Sequence, residues 1–258
     1  MQEPSDGRLR RGDRTRRAVL ARAVDIASVE GLDGLSIGRL AGELEISKSG
    51  LIGHFGSKEE LQLSTIRAAR AIFAQTVIQP ALSTAPGLAR VRALLEGWLV
   101  YSSDRRFPGG CFFGRVTHEY AARPGAVRDA LARIDDEWLR LIATSIEEAQ
   151  ENGEIDPAVD ASQLAFDLDA YLDAANLRSL LGREGVYERA ETAMRDRLEA
   201  VALTRAGSRN DQAARAERAL RAERARPAIG SGGHDDGEAR ERSERRRGPG
   251  PKLTRVNS

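Results

Sequence analysis

Residues 47 to 61 read SKSGLIGHFGSKEEL and place two Ser-Lys pairs ten residues apart. The pattern is a helix start, a stop after about two turns, and a second start. Ser47 suits an N-cap, because its hydroxyl accepts a backbone N–H that the first helical turn leaves unpaired. Gly56 suits the stop, since glycine enters the left-handed conformation that ends many helices. Ser57 with Glu60 three residues on reads as a second cap of the capping-box type. Leu51 and Phe55, at i and i+4, give the short helix one buried edge. Lys48, Ser49, Gly50, Ile52 and Gly53 are left facing outward.

Working back from this stretch, Ser36 caps a helix over about 37–44 whose Ile37, Leu40, Ala41 and Leu44 share a stripe. Before it, a helix from about Asp13 to Glu30 carries Val19, Ala23, Ile26 and Ala27 on one face, and EGLDG ends it. Two short helices joined at Glu45-Ile46 and braced by a longer one form a helix-turn-helix pattern, closed by Leu40, Leu51 and Phe55. An exposed short helix of small and basic residues can enter a DNA major groove, and its N-terminus favours phosphate.

Composition sets the frame. The chain has 258 residues, 41% of them hydrophobic, enough for one large domain or two modest ones. No secretory leader and no membrane-length apolar run is visible, so a cytoplasmic location without a membrane partner is expected. A single cysteine, Cys111, excludes an internal disulfide, and three scattered histidines make a metal site unexpected. The net charge of +1 hides arginine-rich ends around an acid-rich middle. Either end is suited to a polyanion.

Downstream the period stays helical, and the fold class is all-α. A long amphipathic helix from Ser57, through Leu61, Ile66, Phe73 and Val77, is expected to stop at Pro80. Further helices are expected around Trp98 and Tyr101, across CFFGRVTHEYAA, and from Pro124-Gly125 to about Glu151. Two more are expected at 160–182, with Asp160 as cap, and 186–203. The segments divide as a basic arm at 1–12, a helix-turn-helix unit at 13–60, a C-terminal bundle at 80–204 and a tail at 205–258. That tail is rich in Arg, Ala, Glu and Gly and is expected to be disordered.

The span from Thr15 to Thr65, TRRAVLARAVDIASVEGLDGLSIGRLAGELEISKSGLIGHFGSKEEL within it, resembles the DNA-binding domain of TetR-type transcriptional repressors. His54-Phe55 followed by Ser57-Lys58-Glu59-Glu60-Leu61 carries the likeness, which fades by about residue 73. The resemblance implies a homodimer on double-stranded, palindromic operator DNA, with a helical C-terminal domain that dimerises and binds a small-molecule effector. It places Ser36 and Lys58 on phosphates, and Ser47, Lys48, Ser49, Gly50, Ile52, Gly53 and His54 in or near the groove. Glu45 stands where the family usually has Gly, which predicts a strained left-handed turn. Ile52-Gly53 replaces a commoner aromatic-polar pair, so a thymine methyl and close backbone approach become the expected contacts.

The effector is not named by the sequence. Trp98, Tyr101, Cys111, Phe112, Phe113, His118, Trp138 and Tyr171 are the candidates for a pocket lining. Cys111 reads as a buried hydrophobe before it reads as a redox sensor. Asp167, Asp169, Asp173 and Arg178 suggest a wet face on the 160–182 helix, which with the last helix is the candidate dimer surface. No nucleophile elbow, metal-ligand pair or phosphate loop supports an enzyme or a cofactor. The competing function is a nonspecific architectural DNA protein using its basic ends.

Overall fold

A computed structural model describes residues 4–203, with side-chain surroundings from residue 12 onward. The chain runs α1 (Pro4–Glu30), a 3-10 turn (Leu32–Gly34), α2 (Ile37–Glu43), α3 (Lys48–Phe55) and α4 (Lys58–Phe73). A π-helical turn (Ala74–Ile78) leads into α5 (Gln79–Leu82). Then follow α6 (Leu88–Ser103), α7 (Phe112–Tyr120), α8 (Ala126–Glu151), α9 (Ala161–Leu180) and α10 (Val186–Val201). Every regular element among the described residues is helical, and the one backbone bridge, Ile155 with Ala202, is isolated.

The caps lie where their chemistry requires. Ser36, Ser47 and Ser57 accept from the backbone N–H of Arg39, Gly50 and Glu60 at 3.1, 3.2 and 3.0 Å. Asp160 accepts from the N–H groups of Ser162 and Gln163. Gly56 closes α3 at φ 71°. The second cap is only half a capping box, because the Glu60 carboxylate turns away to Arg67 and Ser64. A guanidinium is a stronger partner for a carboxylate than one backbone amide.

Two boundaries differ from expectation. α1 begins at Pro4 rather than near Asp13, so the supposed arm is helical from Pro4. Pro at a first helical position has its φ preset and needs no N–H there. Nor does Pro80 stop the fourth helix. The π turn widens the backbone, Gln79 N–H bonds to the Ala74 carbonyl, and Pro80 continues without its missing donor. The expected tail from 205 lies outside the described residues.

Leu40, Leu51 and Phe55 are buried in one core with Val19 and Ala23 of α1 and with Leu35, between the 3-10 turn and α2. Arg16 staples this unit: its guanidinium lies 4.6 Å over the Phe55 ring and donates to the His54 carbonyl at 2.5 Å and Ser64 Oγ at 3.1 Å. In the C-terminal bundle, α9 packs between α8 and α10, with Leu164, Leu168 and Leu172 fully buried. Its opposite side leaves Phe166 and Leu177 exposed at 61% and 52%, and Leu181 just past its end is exposed at 70%.

Glu45 adopts φ 54°, the left-handed turn its position predicts, and its side chain is exposed. Replacing it with glycine removes a strain of about 1–2 kcal/mol and adds somewhat less in unfolded-chain entropy. Glu45→Gly is therefore expected to raise the unfolding free energy by roughly 0.5–1 kcal/mol in a denaturant titration. A lowered midpoint contradicts this.

Candidate functional site

The outer face of α3 is built by its cap. Gly50 leaves room for the cap, since a Cβ there would stand 2.9 Å from the capping Ser47 Oγ and push that hydroxyl aside. Lys48, Ser49, Gly50, Ile52 and Gly53 are exposed, and His54 is half-buried at the helix end. The Lys48 stem rests near Gly38 of α2. Nothing lies within 4 Å of a Cβ added at Gly53, so its lack of a side chain answers no packing need inside this chain. Ser36 is also exposed. Lys58 is not a free cation, because its Nζ donates to the Asp33 carbonyl at 3.1 Å.

That Asp33 belongs to a second assembly. The Glu119 carboxylate of α7 accepts from the backbone N–H groups of Leu32 and Asp33 at 2.7 and 2.9 Å, supplying the cap that Gly31 lacks. The Asp33 carboxylate takes the Tyr120 hydroxyl at 2.9 Å and Arg123 at 2.5 Å, and these two bonds hold its carboxyl below the usual range. Gln62 of α4 donates to both the Leu32 carbonyl and the Tyr120 hydroxyl. Arg115 reaches the Val29 carbonyl, and Gly109 N–H reaches Ser28 Oγ. A Cβ on Gly109 would stand 1.9 Å from the Ser28 carbonyl oxygen, so only glycine fits this contact.

The other side of α7 walls a cleft of about 590 Å3, counting the solvent at its mouth. Phe73 of α4, Trp98 of α6, Phe113, Gly114, Thr117 and His118 of α7, and Leu131, Ile134 and Trp138 of α8 line it, with Cys111 at one edge. Phe113 and Trp138 stand nearly perpendicular to Phe73, at 77° and 78°, with ring centres 5.9 and 5.2 Å away. Asp135, Asp169 and Asp173 complete the lining. Trp138 Nε1–H donates to Asp169 Oδ1 at 2.8 Å. Loss of hydration pushes the half-buried Asp169 carboxyl up to about 6, with the Asp173 charge adding to the rise and the Trp138 bond opposing it. Dehydration raises Asp173 and Asp135 as well.

Of the eight residues read as pocket candidates, Trp98, Cys111, Phe113, His118 and Trp138 meet at the cleft. Phe112 is fully buried core, Tyr171 packs half-buried elsewhere, and Tyr101 lines a separate groove beside the π turn. Burial raises the Cys111 thiol to about 12, which removes the thiolate a redox sensor needs. Asp169 and Asp173 lie on the cleft rather than on a simple wet face. Neither Phe73 nor Asp135 is a pocket candidate by sequence, and helical periodicity sorts Asp169 and Asp173 towards solvent. Among the described residues, no cluster of His, Cys, Asp and Glu is placed to hold a metal ion, and no helix is long and apolar enough to cross a membrane.

Comparison with known proteins follows the same division. The family described as bacterial regulatory proteins, tetR family, matches residues 19–64, and that described as tetracyclin repressor-like, C-terminal domain, matches 87–194. Among solved structures, a TetR transcriptional regulator from Chloroflexus aurantiacus J-10-FL is 27% identical, with TM-score 0.67 over 76% of this chain and 100% of its own. A putative transcriptional regulator from Saccharomonospora viridis in complex with choline is 25% identical, with TM-score 0.64 over 74% and 100%. AibR in complex with isovaleryl coenzyme A and operator DNA shares the fold at 21% identity, with TM-score 0.53 over 62% and 84%. No curated protein sequence matches significantly.

An Asp whose folded-state value is near 6 against an ordinary 3.8 contributes stability below the lower value and loses it as pH rises through the higher. Asp169→Asn keeps an acceptor for Trp138 and removes the charge. It is expected to be more stable than the native chain by roughly 2 kcal/mol at neutral pH, after allowing for partial exposure. The gap is expected to close as pH falls towards 3.8. Denaturant titrations across that range check this, and equal stability at neutral pH contradicts it.

Proposed function

Because this chain belongs to the TetR family of bacterial regulatory proteins and is a DNA-binding transcriptional regulator, we propose that it is a ligand-responsive repressor acting as a homodimer on a palindromic operator. The observation that carries this reading is the double role of α7. Phe113, Gly114, Thr117 and His118 line the cleft, while Arg115, Glu119 and Tyr120 hold the end of α1 and the turn before α2. Phe73 gives α4 a place in the cleft wall, at the far end of the helix that Ser57 starts. A ligand that shifts α7 or α4 tilts the unit bearing α3.

The exposed α3 face supplies the DNA contacts in this reading: Lys48 and the Ser47 and Ser49 hydroxyls on phosphate or base, Ile52 on a thymine methyl, and Gly53 for close backbone approach. Ser36, His54 and Lys58 flank it, with Lys58 exchanging its Asp33 carbonyl for a phosphate. Two recognition helices reach successive major grooves only when two chains pair. Phe166, Leu177 and Leu180 fall on one exposed side of α9, with Leu181 exposed just past its end, and favour that helix, with α10, as the pairing surface. Operator and effector oppose each other by linkage, so each weakens the other equally.

The purified chain is expected to footprint one palindrome upstream of a gene it controls. Lys48→Ala, exposed and without a hydrogen bond among the described residues, is expected to lower operator affinity by roughly tenfold with no change in melting temperature. Equal affinity for random duplex contradicts the repressor in favour of an architectural protein. Sedimentation as a monomer at micromolar concentration contradicts the dimer.

A further inference from the structure

The relatives that hold choline and isovaleryl coenzyme A differ in ligand size and charge, so the ligand class of this chain has to come from its own cleft. The cleft exists through its aromatic walls: Phe113 and Trp138, each standing across Phe73, with Trp98 behind. Its charged lining groups among the described residues are three carboxylates, Asp135, Asp169 and Asp173, with His118 beside them and no lysine or arginine. The His118 Nδ1 is tied back to the Gly114 carbonyl at 2.5 Å. Among the described residues Asp135 and Asp173 have no hydrogen bond or ion pair, and Asp169 holds one bond, from the Trp138 indole. That bond fixes the carboxylate beside the indole ring and leaves its second oxygen unpaired.

We propose that the cleft binds an organic cation, an ammonium group seated against Trp138 and Phe113 and facing Asp169 and Asp173. This rests on the reading of the cleft as the effector site. Electron-rich ring faces and carboxylates both attract a cation and together define a cage for one. An anionic ligand meets three like charges in a partly dehydrated space, where repulsion is least screened. A neutral guest buries Asp169 further and leaves its charge unanswered. The acids do not converge closely enough to hold a metal ion, which leaves a cation with a carbon surface for the rings to cover. Dehydration has already raised Asp169, and a bound cation reverses that shift.

The chain contains two tryptophans, Trp98 and Trp138, and both line the cleft, so intrinsic fluorescence reports occupancy directly. Titration of the full chain compares phenyltrimethylammonium with tert-butylbenzene, its neutral isostere, and with benzoate. The cation is expected to bind at least about tenfold more tightly than the isostere, and the Asp169→Asn, Asp173→Asn double variant to lose that preference. Both changes preserve shape, and the melting temperature of the variant checks that it folds. Equal binding of cation and isostere, tighter binding of benzoate, or a preference that survives the double variant overturns the proposal. Adding the same compounds to the operator complex separates the two readings. A preferred cation that leaves the complex intact confirms the cage and overturns the effector role. A neutral or anionic compound that fills the cleft and releases DNA overturns the cage and keeps the effector role.

Discussion

The two hydrogen bonds from the backbone of Leu32 and Asp33 to the Glu119 carboxylate join the DNA-reading unit to the rest of the chain. A carboxylate accepting two backbone N–H groups at a helical N-terminus is among the stronger polar contacts available. Its geometry leaves little freedom. Gly31 must take φ 83°, and a Cβ there would stand 2.1 Å from the Glu119 oxygen. Around this contact Asp33 gathers Tyr120, Arg123 and Lys58 from α7, the segment after it and α4. The surrounding ion pairs are half-exposed and individually weak. Their use is to fix direction: α7 cannot move without the end of α1 responding.

How much of this was legible follows from distance along the chain. Serine caps, the Gly56 stop, the left-handed turn at Glu45 and the buried edge of α3 are set by residues within one or two turns, and all were readable. Pro80 was misread because its rule assumes α geometry, and a π turn relieves the clash the rule rests on. Glu119 gave no signal, since its partners lie 86 and 87 residues away. Asp169 and Asp173 were assigned to a wet face because helical periodicity sorts charge outward, and only α7 and α8 turn that face into a cleft. Arg16 is one more arginine near a basic end in the sequence, yet it packs on Phe55.

The same constraint explains where the molecule keeps groups that do not help it fold. Three partly dehydrated carboxylates in the cleft, with His118 beside them and no lysine or arginine, make folding less favourable at neutral pH, and a left-handed Glu45 adds strain beside the recognition helix. Gly53 gives up helix propensity where nothing inside the chain requires glycine. Each of these lies at one of the two surfaces assigned a partner here. Of the helices between them, α4 is capped by Ser57 and buries Leu61, Ile66 and Phe73, and α7 is anchored in the core by Phe112 and Val116, as a firm connection between two sites has to be.

The central claim is that cleft and reading unit communicate through α7, and amide hydrogen exchange at Leu32 and Asp33 tests it most directly. In the full chain, occupying the cleft with phenyltrimethylammonium is expected to change protection of these two amides by roughly tenfold or more, as their bonds to Glu119 lengthen or tighten. In Glu119→Gln the response is expected to be largely lost. Unchanged exchange at both amides in the native chain, with the cleft filled and operator released, contradicts the account and leaves α4 as the sole route.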